Sequence, residues 1–330
     1  MTTYYGLYGQ KVQYLASDPT DVQIGQVWYN STSATLKVRA ATTTGAWASG
    51  GSLSTARGFL AGAGTVTAAL AMGGQPSAPT SLVESYNGTS WTSATGMPAA
   101  RSSLAGAGTQ TAALAIGGFT GGTGQNSVFA YNGSSWTSAP SLTRSPAQYG
   151  IAGTGLQTAA LAVAGFDSGG SYFTSAESYN GSSWTAITAY PIAMRAAAGC
   201  GTQTAALFFG GQANPGNVNS TNSWNGSAWT AGGNMNTGRG YLAGFGTQTA
   251  AITAGGNAGS YNTTNVESYN GTSWTATTTL STGRGGLASS ITSPQSSGVV
   301  FAGYTGTAQS AATEAWTGPG TGVTKTVTVS

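Results

Sequence analysis

RSSLAGAGTQTAALAIGGFTGGTGQNSVFAYNGSSW, residues 101–136, is one copy of a unit that the chain spells out six times. The unit opens on an Arg and runs through a small-residue strand (SLAGAGTQ) into a second strand ending in a glycine pair (TAALAIGG). After a loop it closes on an aromatic–Asn–Gly turn and a Trp. The closing Trp falls at Trp47, Trp91, Trp136, Trp184, Trp229 and Trp274, at spacings of 44, 45, 48, 45 and 45 residues. Four short strand-like runs in every period of about 45 residues are what a β-propeller blade requires. Such a ring consumes most of the chain as one closed unit, although 330 residues would ordinarily suggest about two domains. A propeller is a scaffold for many unrelated jobs, so the repeat says little about function.

Composition narrows the function classes. Only 5% of residues are Asp, Glu, Lys or Arg, against ~25% in ordinary globular domains. Solubility must therefore come from neutral hydroxyl and amide groups. The net charge of +3 is scattered, with no basic run to mark a nucleic-acid footprint. No run of 18 or more apolar residues offers a membrane span. The opening MTTYYGLYGQKVQYLASDPTD lacks the basic and apolar regions of a secretory signal, so export by a secretory route is not expected. One cysteine, Cys200, excludes an intrachain disulfide framework and reads as a small buried hydrophobe in a small-residue strand. The chain has no His, which removes the usual general base and the commonest metal ligand together. No metal and no cofactor are expected.

Each unit divides into four strands. The first alternates Leu or Ala with Gly (Gly58–Gly64, Ser102–Gly108, Ala147–Gly153, Ala196–Gly201, Gly240–Gly246, Gly285–Ser290). That alternation suits a crowded centre where inner strands converge. The second is a short apolar run, as expected for a strand covered on both faces. The third leads to Tyr86, Tyr131, Tyr179, Trp224, Tyr269 and Trp316, with Asn-Gly following in five copies, a strong hairpin signal. The same Asn-Gly-Ser/Thr triplets match glycosylation acceptors, but turn chemistry explains them without sugar.

The order Gly-Gly, spaced Tyr, Trp about five residues later, then Arg resembles the kelch superfamily over roughly residues 44–320. The resemblance implies an all-β fold: a six-bladed kelch-type β-propeller with four antiparallel strands per blade, its first strands lining the channel. Residues 44–330 are assigned to the propeller and 1–43 to an N-terminal extension. Two closures compete. Either the Trp47 strand completes the sixth blade, or the C-terminal strand Val323–Val329 does. Within the extension, Gly25–Arg39 (GQVWYNSTSATLKVR) reads as a β-hairpin around a polar turn. It is similar to Gly-Gln-aromatic-Tyr-Asn segments of bacteriophage tail-fibre and other virion proteins. The near-identical GTQTAALA and YNGTSW units also resemble kelch-like proteins of marine bacteriophages.

Two sets of residues repeat conspicuously. Six of the seven Arg residues (Arg57, Arg101, Arg144, Arg195, Arg239, Arg284) read as one repeat position at the entry of each innermost strand. Four of the seven acids (Glu84, Glu177, Glu267, Glu314) share another, where Phe129 and Asn222 stand in the remaining units. A ring of guanidinium forks at the channel mouth would suit a sulfate, phosphate or uronic acid. Local Arg–Glu pairing explains both sets at once and is the reading favoured here. The repeated Tyr and Trp read as packing between adjacent sheets.

Strand alternation puts the constant GTQTA and NGTS turns on one face and the varied second–third and fourth–first connections on the other. Loops on a rigid scaffold are where recognition concentrates. The candidate binding aromatics on that face are Phe119, Phe166, Tyr172, Phe173, Tyr190, Tyr261 and Tyr304. Aromatic stacking with Asn, Gln and Ser hydrogen bonds is the chemistry that grips neutral sugars. The copper site of kelch-type oxidases needs His, a Ser-His-Asp triad needs His, and a glycosidase needs two facing carboxylates within roughly 5–10 Å. None is provided for, so no catalytic residue and no enzyme are expected. The expected function is a bacteriophage virion surface protein, a tail- or head-fibre appendage that recognises a host-surface glycan. It would be held in multiple copies to other virion proteins through its N-terminal region. The alternative is a structural decoration or adaptor protein making protein–protein contacts; an intracellular adaptor is disfavoured by the scarcity of charge.

Overall fold

The computed structural model describes residues 12–20, 22–41, 44–320 and 322–327, and every element among them is a β-strand. The chain divides into two compact units, Ala46–Thr317 and a smaller one formed by Met1–Gly45 with Gly318–Ser330. Seven four-stranded sheets result, six in the larger unit and one in the smaller.

Within the larger unit each repeat folds as an antiparallel meander. In the second sheet Ala105–Gly108 pairs with Ala113–Ile116, which pairs with Val128–Tyr131, which pairs with Trp136–Ala139. The innermost strands (Ala61–Thr65, Ala105–Gly108, Ala152–Leu156, Ala198–Thr202, Ala243–Gly246, Ala288–Ser289) neighbour one another in cyclic order, the last touching the first. They enclose a narrow central channel of about 90 Å³. Glycine is what lets them approach: a Cβ on Gly106 would lie 2.3 Å from the carbonyl oxygen of Gly62, and one on Gly62 would lie 2.1 Å from that of Ser289. At one mouth, six backbone N–H groups complete a circle. Phe59 donates to Gly286, Gly286 to Tyr241, Tyr241 to Ala196, Ala196 to Gly150, Gly150 to Ser103 and Ser103 to Phe59, all at 2.7–2.8 Å.

The outer strands lock one sheet to the next. Each repeat Trp stacks on the third-strand aromatic of its own sheet, as in Tyr86–Trp91 and Tyr131–Trp136 at 4.9 and 4.8 Å between ring centroids. In every repeat Trp but Trp184, whose indole N–H is buried without a partner among the described residues, the indole N–H then reaches the preceding sheet. Trp91 Nε1 donates to Thr313 Oγ1 and Trp274 Nε1 to Thr221 Oγ1, both at 2.9 Å. The Gln of the constant first–second turn does the same from the opposite face. Gln157 Nε2 donates to the carbonyls of Ala113 (3.1 Å) and Tyr131 (2.7 Å), and Gln110, Gln203, Gln248 and Gln295 repeat the pattern. In the first sheet Val66 takes the Gln position and packs into the apolar cluster of Leu60, Val299 and Phe301. Asn87, Asn132, Asn180, Asn225 and Asn270 each accept two backbone N–H bonds with Oδ1 from the residues two and three positions on, which is turn chemistry. Cys200 is buried, its thiol pushed up by desolvation.

Of the two competing closures, the Trp47 strand is the one used. Ala46–Gly50 pairs with Thr313–Thr317 and completes the sheet of Ala288–Ser289 and Ser297–Phe301. The C-terminal strand lies elsewhere: Gly322–Thr326 pairs with Thr35–Ala41 in the smaller unit. The chain therefore leaves the larger unit after Thr317, short of the 44–330 range expected for the propeller. The stretch Gly25–Arg39 does hold a hairpin, Val27–Asn30 against Thr35–Ala41, and Gln13–Leu15 adds to it in parallel. Asp18 accepts hydrogen bonds from Lys37, Asn30 and the buried Trp28, which hold its carboxyl at about 2. Residues 1–11, 21, 42 and 43 of the expected extension lie outside the described residues.

Candidate functional site

The repeated Arg and Glu residues are placed in the interior. Four ion pairs form within single sheets, Arg57–Glu84, Arg144–Glu177, Arg239–Glu267 and Arg284–Glu314, at 2.5–2.7 Å and all buried. The second carboxylate oxygen of each Glu accepts a backbone N–H from Ser54, Thr143, Asn236 or Ser281. Desolvation pushes the Glu84 and Glu177 carboxyls up. Hydrogen bonds from these backbone groups and from the Arg partners outweigh it, holding both below the ordinary range. Guanidinium groups committed in this way cannot serve a ligand. The local Arg–Glu pairing read from the sequence holds in these four units, and the alternative, a ring of six free guanidinium groups at the channel mouth, is not formed.

The register explains the remainder. The Arg position lies ten residues after the repeat Trp in four units: Arg57, Arg101, Arg239 and Arg284. In the third unit that structural position belongs to Gln148, because the Trp136 connection is longer. Arg144, four residues earlier, still reaches in: it donates to Glu177 and to the carbonyl of Ala164, the counterpart of the Gly73 carbonyl bonded by Arg57. In the fourth unit the position is taken by Met194, which is fully buried, and Arg195 stands one residue later. Its isolated bridge to Gln212 matches those of Gly58 to Gln75 and Gly240 to Asn257, confirming the offset. Strand alternation then turns Arg195 outward.

No acid draws it back. Asn222 occupies the Glu position, and its Nδ2 donates to the hydroxyl of Tyr190 at 3.0 Å. Tyr190 was expected on the variable face but is 1% exposed, edge-on to Trp229 and Phe208. Its backbone N–H bonds to Thr174 as that of Leu53 bonds to Ala311 and that of Leu142 to Asn126, which identifies it as a core position of the repeat. Desolvation pushes its phenol up.

Arg195 lies instead on the aromatic face. Its guanidinium sits 4.2 Å from the ring centroid of Phe166, and 5.8 and 5.7 Å from those of Tyr172 and Tyr241. Nε donates to Gln212 Oε1 at 2.9 Å, and the two terminal nitrogens have no hydrogen-bond partner among the described residues. The third sheet makes this possible. Its second and third strands, Ala159–Phe166 and Tyr172–Tyr179, run eight residues each where other sheets use four or five, so that Phe166, at the bridge position Phe119 and Gln212 hold in their units, is paired directly with Tyr172. Phe119, Tyr149, Phe166 and Tyr172 form one continuous chain of ring contacts at 4.7–5.6 Å. Phe173 pairs with Gly165 and bridges Met194, and takes no part in that chain.

On the other side of Arg195 a cavity of about 450 Å³ opens, lined by Phe59, Tyr241, Tyr261, Tyr304 and the amides of Gln212, Asn257 and Asn262. Tyr261 is 59% exposed, while Tyr304 is half-buried and donates its hydroxyl to Gly306 O. Desolvation raises the Tyr241 phenol, with the Arg195 charge opposing. Phe59 and Tyr241 were not among the expected site residues. Both stand at φ near +57°, where the ring-closing backbone otherwise holds Gly, Ala or Ser. Left-handed backbone is disfavoured for bulky residues. Their rings meet edge-on at 5.4 Å across Gly286, whose absent side chain leaves the room. Large aromatics in a small-residue slot of the repeat were the sequence signal for them.

No carboxylate lines this cavity, and no group of three or more His, Cys, Asp or Glu residues suited to a metal exists among the described residues. Asp167, at the tip of the long hairpin, accepts the N–H groups of Gly169 and Ser171. The opposite channel mouth holds a cavity of about 350 Å³ walled by Leu156, Ala159, Ile291 and the constant Thr and Gln turns, without a charged side chain.

No family model matches the chain, and no curated protein matches it. Among solved structures it is similar to YjhT, a kelch-like β-propeller, at 14% identity with a TM-score of 0.66, over 81% of this chain and 96% of that one. The likeness establishes a kelch-like β-propeller fold.

Proposed function

We propose that this protein is a non-enzymatic glycan-recognition protein of a bacteriophage virion surface, a tail- or head-fibre appendage. Its larger unit is read as a six-bladed propeller, and its terminal sheet as a separate attachment module. The observation that carries the reading is the 450 Å³ cavity on the variable face, where Tyr261, Tyr304, Phe59 and Tyr241 surround the amides of Gln212, Asn257 and Asn262. Planar aromatic faces beside amide donors and acceptors match the alternating C–H and hydroxyl surfaces of a sugar. Hydrolytic chemistry has no support, since four of the five carboxylates of the larger unit are locked in buried pairs.

Attachment to other virion proteins is assigned to the smaller unit, which exposes Val12, Tyr14, Ile24 and Val327. Tyr14 lies in its sheet and the other three flank the strands; exposed apolar side chains of this kind suit a protein–protein contact. They also support the second reading, a decoration or adaptor protein.

The test is an array of bacterial surface polysaccharides probed with the purified chain and with a Tyr261→Ala/Tyr304→Ala variant. Periodate-sensitive binding is expected, weakened about tenfold or more in the variant, as for aromatic anchors at other interfaces. Absence of polysaccharide binding, together with imaging that finds the variable face covered by another virion protein, would establish the adaptor reading instead.

A further inference from the structure

We infer that the variable-face cavity selects glycans bearing an acidic group, a carboxylate or a sulfate ester, and that Arg195 is the residue that binds it. The inference rests on the glycan reading above and adds the chemical class of the ligand.

Arg195 differs from every other cation of the larger unit. Arg57, Arg144, Arg239 and Arg284 are buried against Glu partners. Arg101 is buried on Phe129 and donates to Ser127. Arg195 alone among the described Arg residues of this unit is half-buried, and it makes no ion pair there. Three local substitutions together release it: Met194 in the Arg position, Asn222 in the Glu position, and Tyr190 whose hydroxyl satisfies Asn222. One face of the guanidinium is covered by Phe166, and Nε is committed to Gln212, which orients the planar fork. The terminal nitrogens that remain are the pair that binds a carboxylate or sulfate in bidentate fashion. The adjacent acid, Asp167, is occupied by its own turn and makes no ion pair with Arg195 among the described residues. A cation fixed on an aromatic plate at the edge of an otherwise uncharged cavity is a single-charge selector. Neutral groups would hold the sugar ring, and Arg195 its acidic substituent.

The test is titration of the full chain with matched probes taken from a glycan array holding neutral, carboxylated and sulfated members. The pairs are oligogalacturonate against its carboxyl-reduced form, and sulfated carrageenan oligosaccharides against their desulfated form. At least one acidic probe should bind about 10- to 100-fold tighter than its neutral partner, the range of a charge-assisted hydrogen bond. That preference should weaken with added salt. Arg195→Ala should remove it, and Arg195→Lys, which keeps the charge but not the fork, should retain part of it. Melting curves of both variants separate loss of binding from loss of fold. Which pair responds decides between carboxylate and sulfate. Array binding confined to neutral glycans, or equal affinity of wild type and Arg195→Ala for the acidic probe, overturns this inference and leaves the glycan reading intact. No binding to any member overturns both.

Discussion

At the scale of the residue, the four Arg–Glu pairs show how a charge-poor chain uses the few charges it has. Each Glu needs two kinds of donor, the guanidinium and a backbone N–H, and the N–H comes from the residue after the repeat core position: Ser54, Thr143, Asn236 or Ser281. In the two units lacking Glu, that residue is Pro98 or Pro191. Proline has no N–H to give. A buried carboxylate there would lose a donor, so Phe129 and Asn222 replace it, and the released Arg195 follows from this. Glu177→Gln should therefore destabilise the protein by about 3 kcal/mol at neutral pH, the low end for breaking a buried pair, because Gln keeps the hydrogen-bonding shape. The native carboxyl of Glu177 lies below its ordinary value of 4.5. Its contribution is thus complete above that pH and drains as pH falls through the lower native value. The stability gap between wild type and variant, read from urea denaturation at stepped pH, should close on acidification below about 4.5. A gap that stays constant would show that ionisation of Glu177 contributes nothing.

At the scale of the element, each sheet is a meander too small to stand alone, and its stability comes from its neighbours. The repeat Trp and the turn Gln carry the lateral contacts. Gln157 spans to two backbone carbonyls of the preceding sheet, Ala113 and Tyr131. At about 1 kcal/mol net per hydrogen bond, Gln157→Ala should cost about 2 kcal/mol in urea denaturation. An unchanged midpoint would assign the coupling between sheets to apolar packing alone. The first sheet already does without the clip, with Val66 packed at the junction where the Trp47 strand closes the ring. Much of this was legible in the sequence, since the Trp spacing and the Gly-rich inner strands demanded four strands per unit and a crowded centre. The closure was not, because two β-prone strands competed for one edge and only long-range pairing distinguishes them. Arg144 was legible as one half of its ion pair with Glu177, whereas Arg195 was legible but misread: it lies 11 residues after its Trp, where four of the others lie 10 after theirs. That one-residue slip turns a strand side chain to the opposite face.

At the scale of the whole molecule, constancy and variation separate by face within the larger unit. The constant Gly, Gln, Asn-Gly and Trp positions hold strands and sheets together, and the varied connections of the fourth, fifth and sixth units line the cavity beside Arg195. Of the candidate aromatics, Phe119, Phe166 and Tyr172 fall in the ring chain on one side of Arg195, Tyr261 and Tyr304 line the cavity on the other, and Phe173 joins neither. Tyr190 was lost from the set because its position after a variable loop hid its equivalence to Leu53 and Leu142. Phe59 and Tyr241 were missed because they sit at strand entries rather than in loops. The most direct test of this division is hydrogen–deuterium exchange of the full chain, with and without a saturating glycan found on the array. Protection should rise in residues 166–172, 257–262 and 304–309 and stay unchanged in the Asn-Gly turns at Asn87, Asn132, Asn180, Asn225 and Asn270. Protection confined to those constant turns would contradict it and move the binding site to the opposite face.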